Sequence, residues 1–79
     1  MSKSYKIYAK ISCPYCTKLV QEMINKKLNF FVEFLDDMPE KLQQKKNFYG
    51  HQTVPIVVLR DKETETLIGG CEEALRALG

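Results

Sequence analysis

Cys13-Pro14-Tyr15-Cys16 is the part of this chain whose residue types and spacing suit chemistry. Two thiols three residues apart are one helical turn apart, close enough to exchange a disulfide with little backbone movement. The reactive species is the thiolate, so position matters as much as the letters. Cys13 falls where a strand gives way to a helix. The unpaired N–H groups and the dipole of a helix N-terminus favour an anion there, and Lys10 adds positive charge three residues upstream. Cys16 belongs to the apolar face of that helix and is expected to be buried. An exposed attacking thiol beside a buried resolving thiol is what dithiol exchange requires. Pro14 limits the freedom of the loop. Two other readings stand beside this one. The pair could be small core hydrophobes, although Cys13 lies in a loop rather than on the apolar face. It could also bind zinc or an iron–sulfur cluster, but with no second pair one chain offers only the irregular set Cys13, Cys16, Cys71 and His51. Cys-x-x-Cys near a strand-helix-strand pattern favours exchange.

The elements that must hold this pair follow from periodicity. Ser4 to Ala9 alternates as a strand, and residues 10–13 form a loop. From Pro14 the period changes. Cys16, Leu19, Val20, Met23, Ile24 and Leu28 mark one face of a helix ending near residue 27. Phe30 to Leu35 is a second strand. Asp36 and Asp37 read as the N-cap of a second helix, which has Pro39 and Glu40 in its first turn, runs to about Asn47 and is stopped by Gly50. Thr53 to Arg60 is apolar on consecutive positions, as a central strand buried on both faces would be. A polar turn at 61–65 leads into a short strand, Thr66 to Ile68, and Cys71 to Leu78 is a last helix. The order β-α-β-α-β-β-α puts the first two strands parallel and closes with an antiparallel hairpin. The expected architecture is an α/β fold, a four-stranded mixed sheet flanked by helices, in a single domain over 1–79.

Composition narrows the classes of function. The chain has 79 residues, of which 44% are apolar and 28% charged, too apolar for compositional disorder. Its longest apolar run, Val54 to Leu59, is far short of the roughly 20 residues a membrane helix needs. The first residues lack the apolar stretch of a secretory signal. A net charge of +2 is too mild to argue for nucleic acid. Three cysteines, an odd number, do not read as a secreted disulfide framework, so the expectation is a reducing, cytoplasmic setting.

Two further segments stand out. Thr53-Val54-Pro55 opens the third strand with a proline that cannot donate to a ladder. It is either a trans proline at a strand start or a cis proline that leaves the Val54 backbone open to a peptide-like ligand. Gly69-Gly70-Cys71-Glu72-Glu73 opens the last helix. Its N–H groups suit a carboxylate, and its glutamates suit a first turn. Cys71 reads as a packing residue near the site. His51 reads as a solvated loop histidine, and Lys26, Lys27, Lys41, Lys45 and Lys46 as solvated faces.

Together these three motifs, in this order and spacing, resemble the glutaredoxin family along essentially the whole chain. The resemblance implies a thioredoxin-like fold and glutathione-dependent thiol–disulfide exchange with no tightly bound cofactor and no metal. Cys13 would be the nucleophile, and Cys16 would resolve mixed disulfides with proteins. Glutathione, the co-substrate, would lie in a groove between the motifs. Lys10 and Gln52 would meet its glycine carboxylate, and Tyr15 would line the groove. The Val54 backbone would pair with its cysteinyl part, fixed by Pro55 and flanked by Thr53. Gly70 and the N–H groups of Cys71 and Glu72 would hold the γ-glutamyl carboxylate, and Glu72 or Glu73 the ammonium. The family pattern has aspartates where this chain has Glu72 and Glu73, and a further C-terminal helix common in the family is missing. The partners implied are glutathione and disulfide-containing or glutathionylated proteins, ribonucleotide reductase among the plausible clients, with no nucleic acid or membrane and a monomeric state. Two alternatives are a thioredoxin-reductase-coupled electron donor to ribonucleotide reductase and an iron–sulfur or zinc module.

Overall fold

Alternation along the strands decides which helix covers which face of the sheet. The computed structural model describes residues 3–78. The elements are β1 (Lys3–Ala9), α1 (Pro14–Asn25), β2 (Phe30–Phe34), α2 (Pro39–Tyr49), β3 (Ile56–Asp61), β4 (Thr64–Gly69) and α3 (Cys71–Leu78). The sheet order is β2-β1-β3-β4. β1 runs parallel to β2 and antiparallel to β3, and β3 and β4 form an antiparallel hairpin. Successive residues of a strand face opposite ways. Ile7 and Ala9 of β1 and Val57 of β3 therefore pack with Cys16, Leu19 and Met23 of α1 and Cys71 and Ala74 of α3. Tyr8, Ile56 and Val58 face the other way, onto Leu35 and Leu42. α1 and α3 thus share one face, and α2 covers the other. This is the thioredoxin-like arrangement, with the element order and mixed sheet that the sequence pattern implies.

α1 buries Cys16, Leu19 and Met23, at i, i+3 and i+7. Ile24, counted in the apolar stripe from sequence, is 54% exposed: it lies about 100° around the helix from Met23, off the buried line of Cys16, Leu19 and Met23. The helix ends at Asn25, about two residues earlier than its periodicity suggests. Lys27 takes the left-handed region (φ 57°). Its N–H donates to the Ile24 carbonyl and that of Leu28 to the Met23 carbonyl, the paired bonds that close a helix C-terminus.

α2 begins differently from its sequence reading. Its N-cap is Met38, with no side-chain capping bond, and neither Asp36 nor Asp37 caps it. The Asp36 carboxylate accepts instead from the loop before Cys13. Gly50, at φ 65°, closes the helix, and the His51 N–H donates to the Lys46 carbonyl. On the edge strand β2, Glu33 is bound by Lys41 and Lys6, an inward charge that blunts an open edge.

β3 starts at Ile56 rather than Thr53. Pro55 has no N–H for the ladder, and the Val54–Pro55 bond is cis. Ile56, Val57 and Val58 are fully buried, as a central strand requires. Among the described residues no helix is long and apolar enough to cross a membrane.

The packing of α1 is what fixes the site, and its two faces separate in a mutational test. Leu19 is fully buried, so Leu19→Ala is expected to cost about 2–5 kcal/mol in urea unfolding. Ile24→Ala on the exposed side is expected to cost under about 1 kcal/mol.

Candidate active site

Cys13 is the N-cap of α1, in an extended conformation (φ −95°, ψ 114°), with Pro14 in the first turn. Its carbonyl accepts from the N–H groups of Cys16 (3.1 Å) and Thr17 (3.3 Å), while its own N–H donates to the Lys10 carbonyl at 3.1 Å. The half-exposed thiol lies 3.9 Å from the Val54 carbonyl oxygen. All three cysteines are free thiols. Cys16 is fully buried, and burial pushes its thiol up to about 12, against a backbone hydrogen bond from Lys10 that lowers it and the neighbouring Cys13 that raises it further. At neutral pH Cys16 is therefore a protonated thiol, shielded behind Cys13. The third thiol, Cys71, is 8% exposed and packed in the α1–α3 core, where burial also raises it.

Beside Cys13 lies a cleft of about 520 Å³, lined by Tyr15, His51, Thr53, Val54, Gly70, Cys71, Glu72 and Glu73. Three stretches distant in sequence meet here: the head of α1, the segment before β3, and the β4–α3 junction. The junction explains its glycines. Gly69 sits at φ 128°, and a Cβ there would fall 2.9 Å from the Glu73 side chain. A Cβ on Gly70 would meet Glu73 and His51 at 3.3 Å. The Glu73 carboxylate accepts from the Gly70 N–H at 2.9 Å, the backward half of a capping box. Backbone N–H groups, its own first and that of Gly70 next, hold its carboxyl below the usual range.

Most of the residues singled out from sequence come together here. Tyr15, Thr53, Val54, Gly70, Cys71, Glu72 and Glu73 line the cleft, and Pro55 is buried next to Val54. Lys10 and Gln52 do not line it. The exposed Gln52 side chain turns to α2, accepting from Gln43 at 3.3 Å and reaching the Lys46 carbonyl at 3.5 Å. Lys10 serves the loop through its backbone. His51, read as a solvated loop residue, lines the cleft instead, with its Nε2 3.2 Å from the Thr53 hydroxyl. The one signal in the sequence is its place two residues before Thr53, in the loop that leads to Pro55. No group of three or more His, Cys, Asp or Glu is placed to hold a metal ion among the described residues, so Cys13, Cys16, Cys71 and His51 do not form such a set.

The arrangement offers an accessible thiol at a helix N-terminus, a shielded thiol one turn behind it, and a cleft with backbone donors and carboxylates within reach. A family model described as glutaredoxin matches residues 6–63, well over half of the chain and including both cysteines of the pair. No curated protein matches the chain. On the strength of that match, and of a dithiol at the head of α1 in a thioredoxin-like fold, the chain belongs to the glutaredoxin family.

Proposed function

We propose that this thiol–disulfide oxidoreductase of the glutaredoxin family uses glutathione as its reductant and acts on protein disulfides and glutathione mixed disulfides in the cytoplasm. The observation that carries this reading is the meeting of the half-exposed Cys13 thiol with a cleft bounded by Val54 and the first turn of α3.

The chemistry divides between the two thiols. The Cys13 thiolate attacks one sulfur of a client disulfide. A mixed disulfide forms, and the other client sulfur leaves as a thiolate. Cys16 then attacks the Cys13 sulfur, releasing the second client thiol, which takes the proton Cys16 gives up. The product is a Cys13–Cys16 disulfide and a client reduced by two electrons. One glutathione opens that disulfide at Cys13, and a second attacks the glutathione sulfur. This regenerates the Cys13 thiolate and yields oxidised glutathione. When the substrate is already a glutathione mixed disulfide, Cys13 alone completes the cycle.

The cleft suits the γ-glutamyl end of glutathione. The first intrahelical bond of α3 runs from the Ala74 N–H to the Gly70 carbonyl, so the N–H groups of Cys71 and Glu72 have no helical partner. They suit a carboxylate, and the Val54 backbone suits the cysteinyl part. Two carboxylates stand nearby, but they are not equivalent. Glu73 is engaged with the Gly70 N–H, whereas among the described residues no hydrogen bond or ion pair engages Glu72. Glu72 is therefore the side chain we assign to the ammonium.

Turnover with glutathione, glutathione reductase and a small glutathione mixed disulfide tests the reading. Cys13→Ser is expected to abolish exchange with every substrate. Cys16→Ser is expected to lose protein-disulfide reduction and keep deglutathionylation; equal loss of both would remove the single-thiol route. Wild-type protein that turns over with thioredoxin reductase and not with glutathione would overturn the choice of reductant.

The ammonium assignment has its own measurement. Glu72→Gln is expected to raise KM for glutathione roughly three- to tenfold, since a charged hydrogen bond is lost at an exposed position. The effect should fall on KM rather than kcat, and steady-state kinetics over a range of glutathione concentrations reads the two separately.

A further inference from the structure

The loop that carries Cys13 has little apolar anchoring. Ile11 is 69% exposed and Ser12 is exposed as well, so burial does not fix residues 10–12. Beside the backbone bond from the Cys13 N–H to the Lys10 carbonyl, the loop is held by one side chain from a distant element. Asp36, two residues past the end of β2, accepts from the Ile11 N–H at 2.7 Å through Oδ1. Through Oδ2 it faces the Ser12 N–H and hydroxyl, each at 3.4 Å. The anchor is itself fixed. Leu35, its neighbour, is 1% exposed and donates its N–H to the Ala9 carbonyl at 2.9 Å. The bond from Ile11, foremost, and the charge of Lys10 among lesser causes hold the Asp36 carboxyl below the usual carboxylate range. A depressed carboxyl is ionised above its unfolded value and loses its bonds only as pH falls through its folded one, so the contact persists throughout the neutral range.

We propose that Asp36 is the positioning residue of the nucleophile: its carboxylate clamps the loop before Cys13 to the end of β2 and so fixes how the Cys13 thiol is presented at the head of α1. Asp36 does not touch the reacting sulfur in this role. It orders the backbone that leads into the N-cap, and with it the alignment of the thiol with the unpaired N–H groups of the first turn. The proposal rests on Cys13 being the attacking thiol.

Two effects of this carboxylate oppose one another, which makes the proposal testable by sign. As an anion near Cys13 it disfavours a thiolate; as a clamp it favours one. The experiment is the rate of alkylation of the reduced full-length chain by iodoacetamide at pH 7. The labelled cysteine is identified by mass, and unfolding curves establish that each variant is folded. Asp36→Ala is expected to slow labelling of Cys13 roughly three- to tenfold, the effect of losing part of a charged hydrogen-bond set. Asp36→Asn keeps an acceptor for the Ile11 N–H and is expected to fall between wild type and Asp36→Ala. If Asp36 acts only through its charge, both variants label faster. If it acts only on stability, the folded variants label at the wild-type rate. Either result overturns the clamp. Where Asp36→Ala does not fold, Asp36→Asn decides alone: slower labelling supports the clamp, and equal or faster labelling overturns it. A label that appears first on Cys16 or Cys71 overturns the reading of Cys13 and the proposal with it.

Discussion

An attacking thiol must meet solvent while the helix that presents it must be buried, and in this protein both demands fall on a single turn of α1. Phase and position meet them together. Cys16, Leu19 and Met23 point into the sheet and are fully buried, whereas Cys13 lies one step outside the helix as its N-cap and keeps partial exposure. Everything that seats α1 therefore also aims the thiol proposed as the nucleophile. The inward residues of β1 and β3, Ile7, Ala9 and Val57, form the floor on which α1 rests. α3 packs against the same face, so the core that stabilises the fold also brings the β4–α3 junction up to Cys13. Site and core are two sides of one layer.

The cleft shows how backbone geometry substitutes for side chains. Its donors are the N–H groups at the head of α3, and they are available because the chain turns sharply just before them. That turn needs Gly69 at φ 128°, and a Cβ on Gly70 would press on Glu73 and His51 at 3.3 Å. Glu73 then closes the turn on the Gly70 N–H. The longer glutamate side chain, one methylene beyond aspartate, is the type whose reach back to the N-cap N–H defines a capping box. A substitution that looks like a change in ligand recognition is thus also a change in helix capping.

Much of this was legible in the sequence, for a definable reason. Periods of 2 and 3.6 are local signals, so the element order, the parallel start, the central β3 and the burial of Cys16 followed from patterning alone. The dithiol and the Gly69–Glu73 segment were visible as contiguous motifs. What was not legible is contact across sequence distance and the direction of side chains in a loop. Asp36 has the residue type and position of an N-cap, and only the fold reveals that its acceptors face a loop about 25 residues earlier. His51 and Gln52 are adjacent, yet His51 lines the cleft while the Gln52 side chain turns to α2. The segment before β3 bends at Thr53 and Val54, and no strand period tells which of its side chains meets the cleft.

The unequal burial of the two thiols also sets the direction of the proposed cycle. When the Cys13–Cys16 disulfide is reduced, leaving-group strength alone would favour expelling the lower-pKa sulfur, which means attack at the other. Access overrules that preference here, because Cys16 is fully buried and an incoming thiol reaches only Cys13. The departing sulfur is then Cys16, whose thiol burial pushes far up and which is a poor leaving group as an anion. The contact acting against that burial is the backbone hydrogen bond from Lys10, the residue that opens the active-site loop. Burial of Cys16 thus decides which sulfur is attacked and which is released in the proposed cycle.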